Sequence, residues 1–469
     1  MPEAAWFRAM SSRAAAASLR ILLALALPMV LSRATQSVMT FADALMVEHL
    51  GPQAIAASAT GGFNVFLFMI LPMGTVFIVQ SFVAQLVGAN DRDATPRFAY
   101  YGLIIAAIAG IVGLLLIPAI DPLLHYADFS SAVREPMSEY MKLRMYSVAA
   151  VVGVEVLANW YGGLGNTWMS LVAALISMVS DLFLNWVLIY GNLGAPEMGV
   201  NGAALSSTIG SFVGLTFLLV AFWRRWGMAI GGPAPKRARP LLSLRELWRV
   251  VRFGFPNGLN WFGDFAAFQI FVNVVFASLG DDTLAALNVV IAINSVAFMP
   301  AFGLASAGAI LAGQAIGSGN KDAVWPQVKL TIAVAALWMC TIGATYFLAP
   351  RPLLQLFNSS HSSPLFVTVG VTMLVISAAW QLFDAIGITL SETLRAAGDT
   401  TWTAIARLGL AWLVFVPSAY LVVKRWHGGP VGAMLCLVGY LALLAVLFAY
   451  RFRSGAWRNI ELIEPKLVE

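Results

Sequence analysis

The chain has 469 residues, of which 60% are hydrophobic and only 11% charged, and its mean hydropathy is +0.81. A soluble protein carries about a quarter charged residues, so the composition excludes a soluble globular protein and indicates a polytopic membrane protein. The formal net charge of +5 does not indicate a nucleic-acid partner, and we expect none. In a membrane protein the distribution of basic residues primarily reflects the orientation of the chain in the bilayer.

Twelve apolar runs of the sequence are long enough to cross a bilayer. Six of them precede a basic linker and six follow it. In chain order the runs lie at 18–47, 54–87, 97–120, 136–163, 167–191, 199–223, 246–279, 283–315, 325–349, 365–396, 401–423 and 430–452. We therefore predict an all-α integral membrane protein with twelve transmembrane helices.

Basic residues concentrate on one side of these predicted spans. They are dense in the segment 224–252, after the sixth span, and they also precede the first span and follow the last. By the positive-inside rule we expect both termini in the cytoplasm. The predicted domains are an amino-terminal six-helix lobe at 1–223, a basic cytoplasmic linker at 224–245, and a carboxy-terminal six-helix lobe at 246–469 with a short cytoplasmic tail.

The two predicted lobes are internal repeats of each other. Pro28 and Pro72 recur as Pro256 and Pro300, each 228 residues later, and the segment 85–94 resembles 314–323. Because each repeat holds six spans, an even number, both halves have the same orientation. We therefore predict two parallel six-helix bundles related by a pseudo-two-fold axis along the membrane normal, with a cavity between them near mid-depth.

An acidic residue interrupts the first apolar run. Asp43 follows about twenty mostly apolar residues, and helical spacing puts it on one face with Gln36 and Thr40. An ionised carboxylate in hydrocarbon costs several kcal/mol unless it faces a partner, a cavity or water. This position favours a functional carboxylate, and the alternative is a structural pair with a neighbouring helix.

The fifth span carries a second polar pair, and the first span carries a cation. Asp181 and Asn185 are one helical turn apart, so their oxygen-bearing side chains point the same way. Hard cations such as Na⁺ need several oxygen ligands, and this pair alone supplies only part of such a site. Arg33 either neutralises a neighbouring carboxylate or lines the cavity.

The second half has polar faces of its own. On the seventh span a polar face is formed by Asn257, Asn260 and Asp264. On the tenth span Asp384 and Glu392 share a face, and Arg395 lies three residues beyond Glu392, which predicts a structural ion pair. Desolvation disfavours the charged form of a carboxylate in a dry cleft, so such a group can hold either a proton or a cationic ligand. Antiport requires this competition.

Four segments together resemble the multidrug and toxic-compound extrusion (MATE) family. They are the segment 41–51 around Asp43, the segments 185–191 and 199–204, and the segment 395–400 after the tenth span. The resemblance covers nearly the whole chain, including its twelve spans in two parallel halves. It leaves open whether the chain is NorM-like or DinF-like.

The resemblance implies secondary active efflux of organic cations or other toxic compounds, driven by inward Na⁺ or H⁺. Asp43 matches the functional aspartate of the first helix, and Asp384 matches the tenth-helix aspartate of the NorM-like branch. Asp264 stands where that branch often has Glu. The fifth-helix motif is inverted here, as Asp181 then Asn185, and Ser207 stands where the family often has Thr.

Two coupling sites are therefore open. One is a first-lobe Na⁺ site formed by Asp43, Asp181, Asn185 and Ser207. The other is a second-lobe acidic pair, Asp264 with Asp384, which we expect to couple cation entry to substrate release. The resemblance also implies a multi-pass protein of the plasma membrane, the inner membrane in bacteria, that works as a monomer in the lipid bilayer without a resident cofactor.

Two other functions compete with efflux. A lipid-linked-oligosaccharide flippase of the same superfamily would line its cavity with Arg or Lys to hold pyrophosphate, whereas carboxylates outnumber Arg33 here. A polytopic membrane enzyme would need a loop with clustered His, Asp or Arg, and the loops of this chain are short and plain. The sequence therefore favours cationic cargo and a protein that is not an enzyme.

Overall fold

The fold is helical throughout. The computed structural model describes residues 12–125, 130–230, 232–236, 242–356 and 364–463, and these ranges contain no β-strand. Parts of the predicted topology lie outside the described residues. They are positions 1–11 and 464–469 at the two ends of the chain and the linker positions 231 and 237–241.

Seventeen α-helices make up the described chain, joined by short 3₁₀ turns and two π-helical segments. The first nine are α1 (Ser12–Glu48), α2 (Pro52–Val76), α3 (Val79–Gly88), α4 (Thr95–Leu116), α5 (Ile120–His125), α6 (Ser131–Met145), α7 (Val148–Gly163), α8 (Trp168–Leu188) and α9 (Val200–Arg224). The others are α10 (Leu244–Ile270), α11 (Asp281–Gly317), α12 (Val324–Leu348), α13 (Pro350–Gln355), α14 (Pro364–Ala396), α15 (Thr400–Gly409), α16 (Val416–Lys424) and α17 (Gly429–Arg453). The π-helical segments are Phe271–Phe276 and Leu410–Phe415.

Eleven helical stretches of the described chain are long and apolar enough to cross a membrane. They coincide with eleven of the twelve predicted spans, so the all-helical membrane fold is confirmed. The fourth predicted span, 136–163, is instead divided between α6 and α7. Only α7 is apolar, because α6 is rich in charged side chains. The 16 residues of α7 are fewer than the roughly 20 that a single spanning helix needs.

The helices group into two units, and each unit combines parts of both halves of the sequence. The amino unit is Leu31–Leu259, and the carboxy unit is formed by the described residues up to Val30 and from Asn260 onward. The boundaries fall inside α1 and inside α10, shortly after Pro28 and Pro256. The predicted lobe limits and the axis along the membrane normal stay predictions.

The start of α1 packs within the carboxy unit. Leu22 and Ala26 are buried in an apolar cluster with residues of α11, α12 and α14, among them Leu304 and Met339. Farther along α1, Val30 packs against Gly303 of α11. A Cβ added to Gly303 would lie 2.7 Å from a methyl carbon of Val30. These small and apolar contacts explain why the first part of α1 belongs with the second half of the sequence.

The start of α10 packs within the amino unit in the same manner. Asn257 donates a hydrogen bond from Nδ2 to the carbonyl oxygen of Gly74, at 2.7 Å. The adjacent Gly258, and Gly254 about one turn earlier, bring the backbone of α10 against α2. The start of the linker is held by the turn between α3 and α4, because Arg92 donates to the carbonyl oxygens of Met228 and Ile230.

We predict that Gly258→Ala destabilises the protein. The added Cβ would lie 2.3 Å from the carbonyl oxygen of Leu71, and backbone cannot move aside as the end of a flexible side chain can. Such overpacking costs about 1–3 kcal/mol, which should lower the apparent melting temperature in a thermostability assay monitored by size-exclusion chromatography. Gly439→Ala is the matched control, because nothing lies within 4 Å of its added Cβ. Equal melting temperatures for the two variants would contradict the prediction.

Candidate functional site

The first charged cluster lies in the amino unit, where α1, α8 and α9 approach one another. A small apolar cluster packs these helix ends together with α6, and it includes Val47, Tyr140, Ile189 and Ala203. Beside this cluster, Asp181 and Asn185 of α8 are 0% exposed, and Asp43 of α1 is partly buried. The i, i+4 spacing on α8 places both polar side chains toward α1, as the sequence predicts.

One amide joins the two carboxylates of this cluster. Asn185 donates from Nδ2 to Asp43 Oδ1 at 2.6 Å and to Asp181 Oδ2 at 3.2 Å. The side chain of Ser207, on α9, lies beside Asp181. Two buried oxygens, Oδ1 of Asp181 and Oδ1 of Asn185, have no hydrogen-bond partner in the described structure. Buried carboxylate, amide and hydroxyl oxygens in one place are ligands that suit a hard cation.

An arginine adjoins this cluster. Arg144 of α6 is partly buried and lies within electrostatic range of both Asp43 and Asp181. Its Nη1 is buried and has no hydrogen-bond partner among the described residues. Two carboxylates and one guanidinium leave a net charge of −1 when all three are ionised, so one proton or one monovalent cation would neutralise the group.

A second ion pair in the amino unit involves Arg33. Its Nη2 lies 3.1 Å from Oε1 of Glu155, and Asn159 donates to the same oxygen at 3.0 Å. Arg33 therefore neutralises a neighbouring carboxylate, which is one of the two predicted roles. Gln36 and Thr40 are exposed, and Thr40 donates to the backbone oxygen of Gln36 at 3.0 Å, so neither joins the Asp43 cluster.

The second charged cluster lies in the carboxy unit and is centred on Asp264 of α10. Tyr440 of α17 donates to Asp264 Oδ1 at 2.6 Å, and Arg407 of α15 donates from Nη1 to Asp264 Oδ2 at 3.2 Å. Asp384 of α14 lies within electrostatic range of both Arg407 and Asp264. The predicted acidic pair is thus brought together, but with an arginine and a tyrosine that occupy both oxygens of Asp264.

Both π-helical segments are close to this cluster in sequence and in space. One begins seven residues after Asp264 and the other three residues after Arg407. The ring of Phe271 contacts that of Phe415 at a centroid distance of 4.9 Å, and Phe415 stacks on Tyr440 at 4.9 Å. This aromatic column holds Tyr440 in position for its bond to Asp264. Helical irregularities of this kind are frequent at functional sites.

Three other predicted residues stay apart from Asp264. Asn257 is bonded to Gly74 within the amino unit, while Asn260 is buried and its Oδ1 has no hydrogen-bond partner in the part of the chain that the structure describes. Glu392 forms the predicted ion pair with Arg395, with Nη2 and Oε2 2.6 Å apart and both side chains buried. That pair is internal to α14.

Sequence reasoning did not assign Arg144, Arg407 or Tyr440 to a site. Arg407 lies inside the apolar run 401–423, and an arginine within a span was a signal that could have found it. Arg144 lies in the charged part of the fourth predicted span, where it resembled a loop residue. Tyr440 gave no signal, because tyrosine is common in membrane helices.

Buried charged clusters inside spanning helices are typical of membrane transport proteins, and this fold and these sites define the chain as a member of that class. The sequence model of the MatE family matches residues 28–187 and 265–421. The chain belongs to the MatE family.

Several known proteins are similar over nearly the full length. The "Probable multidrug resistance protein NorM" of Pseudomonas putida is 29% identical over 451 residues, covering 95% of this chain and 96% of the relative. The protein of the same name from Thermotoga maritima is 26% identical and covers 96% of this chain and 95% of the relative. "Multidrug resistance protein PmpM" of Pseudomonas aeruginosa is 26% identical, covering 95% of this chain and 93% of the relative.

Solved structures share the fold. A multidrug resistance MATE family transporter of the MOP superfamily, in an outward-facing conformation, has a TM-score of 0.82 at 21% identity, covering 94% of this chain and 97% of that chain. A MOP superfamily transporter from Pyrococcus furiosus, described as having a binding pocket of reverse polarity, has a TM-score of 0.84 at 21% identity with the same coverage. At this identity the likeness concerns the fold alone.

Proposed function

We propose that this chain is a secondary active multidrug efflux transporter, which exports organic cations or other toxic compounds in exchange for Na⁺ or H⁺ by alternating access. The observation that carries the proposal is the buried cluster in which Asn185 joins Asp43 and Asp181. The names of the bacterial relatives, which are multidrug resistance proteins, support the multidrug character of the transport.

The coupling ion is proposed to bind in the amino unit. Two carboxylates that share one amide donor repel each other when both are ionised, so a proton or a Na⁺ ion between them lowers the energy. Asp181 and Asn185 each have an unpartnered oxygen for such an ion among the described contacts. Asp264, in contrast, already has both oxygens engaged. These differences favour the first site over the second-lobe pair that the sequence alone favoured.

The substrates are proposed to be cationic. A carboxylate partner or neighbour is present for each arginine of the two charged clusters and of the two helix ion pairs, namely Arg33, Arg144, Arg395 and Arg407. An anionic cargo would need unneutralised cations, as a lipid-linked-oligosaccharide flippase requires for pyrophosphate. The clusters at Asp43 and Asp264 each keep one negative charge in excess, which suits a positively charged compound.

The chain is further proposed to act as a monomer in the plasma membrane, the inner membrane in bacteria, with both termini cytoplasmic. It is proposed to need no resident cofactor and no nucleic-acid partner, because its ion and its drug are both transported solutes. Membership of the MatE family favours transport over the polytopic membrane enzyme that the sequence left as an alternative.

The function can be tested by expression in a bacterium that lacks its own efflux pumps. We expect higher inhibitory concentrations for lipophilic cations than in cells with the empty vector, because the pump lowers their cytoplasmic concentration. Anionic compounds of similar size are the matched control and should show no change. A strain that is protected against the anions alone would support the flippase-like polarity and contradict the proposal.

A further inference from the structure

We propose that Arg407 is a specificity-determining residue that limits the carboxy-unit cluster to a single positive charge, so that it accepts monovalent organic cations and rejects divalent ones. The inference rests on the proposed efflux function and deepens it by naming the charge class of the substrate. Its basis is the ion pair between Arg407 and Asp264, beside Asp384.

The charge count of the cluster follows from its members. Asp264 and Asp384 contribute two negative charges, Arg407 contributes one positive charge, and Tyr440 contributes none. The cluster therefore has a net charge of −1 when its carboxylates are ionised. Each oxygen of Asp264 already accepts one hydrogen bond, from Arg407 or from Tyr440, so we assign the charge of the ligand to Asp384.

Arg407 is held in this position by its surroundings. The residue before Asp264 and the residue after Arg407 are in close contact, since a Cβ added to Gly263 would lie 2.1 Å from a methyl carbon of Leu408. The indole of Trp412 donates to the carbonyl oxygen of Gly263 at 3.1 Å, which ties the two helices together again. The guanidinium also lies over the ring of Phe448, 5.6 Å from its centroid. Arg407 is thus a built-in counterion.

A partly buried cluster discriminates between ligands by the net charge that the cluster and the ligand have together after binding. A monocation brings the group to zero, whereas a dication leaves an excess positive charge beside the fixed guanidinium, which is costly away from water. Removal of Arg407 changes the net charge of the cluster to −2, which a dication neutralises and a monocation does not. The charge preference should therefore invert when the arginine is replaced.

The test uses two aromatic pyridinium probes of similar size, methylphenylpyridinium with one charge and methyl viologen with two. Their binding to the purified full-length protein is measured by isothermal titration calorimetry. We expect the wild type to bind the monocation more tightly. In Arg407→Gln the ratio of dication to monocation affinity should rise about tenfold or more, a change that corresponds to about 1.4 kcal/mol.

Three further variants separate a charge effect from a structural one. Arg407→Lys keeps the charge and should keep the preference for the monocation. Arg407→Gln combined with Asp384→Asn returns the count to −1 and should restore that preference, which a damaged fold would not do. Arg458→Gln is the matched control, because it removes an exposed ion pair with Asp322 and should leave both affinities unchanged.

An unchanged affinity ratio in Arg407→Gln would overturn the inference, and so would a wild type that binds neither probe. If Arg407→Gln does not fold, Asp384→Asn alone decides, because it leaves a count of zero. The affinity of that variant for the monocation should fall about tenfold or more, and an unchanged affinity would overturn the inference. Failure of the proposed function is distinct, since it would appear as an absence of gradient-driven flux in proteoliposomes while the binding preference persists.

Discussion

Asp43→Asn is expected to reduce drug efflux to the level of vesicles that lack the protein. The substitution keeps the size of the side chain and still offers an oxygen to Asn185, which donates to Asp43 at 2.6 Å. It removes the charge that a proton or a cation must neutralise, so the cluster loses its response to the ion gradient. Uptake of a fluorescent monocation into energised inverted vesicles, where an exporter moves its substrate into the lumen, measures the effect.

The control for this substitution is Asp121→Asn. Asp121 forms an exposed ion pair with Lys142, at 2.6 Å, and a pair of this kind contributes little to stability. This variant should transport as the wild type does. If Asp43→Asn is present in the membrane in normal amount and confers full drug resistance, then Asp43 is a structural carboxylate and the proposed site is wrong.

The second large effect is expected at Asp181. In Asp181→Asn the cluster keeps only the carboxylate of Asp43, whose charge Arg144 balances, so the ion should bind weakly and transport should lose its dependence on the ion gradient. Reconstituted proteoliposomes in which the Na⁺ gradient and the pH gradient are varied independently measure this dependence, and they also identify the coupling ion.

The double variant Asp264→Asn with Asp384→Asn separates the amino-unit site from the carboxy-unit site. We expect its flux to remain dependent on the ion gradient while its affinity for organic cations falls, because the neutralised cluster then has an excess of positive charge from Arg407. The reverse result, loss of ion dependence in the double variant and full dependence in Asp181→Asn, would assign the coupling ion to the carboxy unit.

The helices were predictable from sequence because hydrophobicity over about twenty residues is a local property. The Asp181 and Asn185 pair was predictable for the same reason, since helical spacing alone puts both side chains on one face. The sequence analysis treated 136–163 as one span because most of its residues are apolar. It did not take into account that most of the charged residues of this run lie in its first part, in α6.

The partners across helices were not predictable. Nothing in the spacing of α10 distinguishes Asn257, which bonds to the backbone of α2, from Asp264, which bonds to α15 and α17. Those contacts depend on which helices pack together, and the local spacing of residues along one helix does not reveal that packing. The intramembrane charges could be named as candidates, but the pairing of Asp264 with Arg407 is visible only in three dimensions.

The exchange of the first parts of α1 and α10 between the two units has a consequence for biosynthesis. Leu22 and Ala26 are made early by the ribosome, yet their packing partners in α11, α12 and α14 follow only in the second half of translation. The carboxy unit therefore cannot close as a co-translational domain until the emerging chain supplies those helices. Each unit thus takes the start of one helix from the other half of the sequence, that of α1 in the carboxy unit and that of α10 in the amino unit.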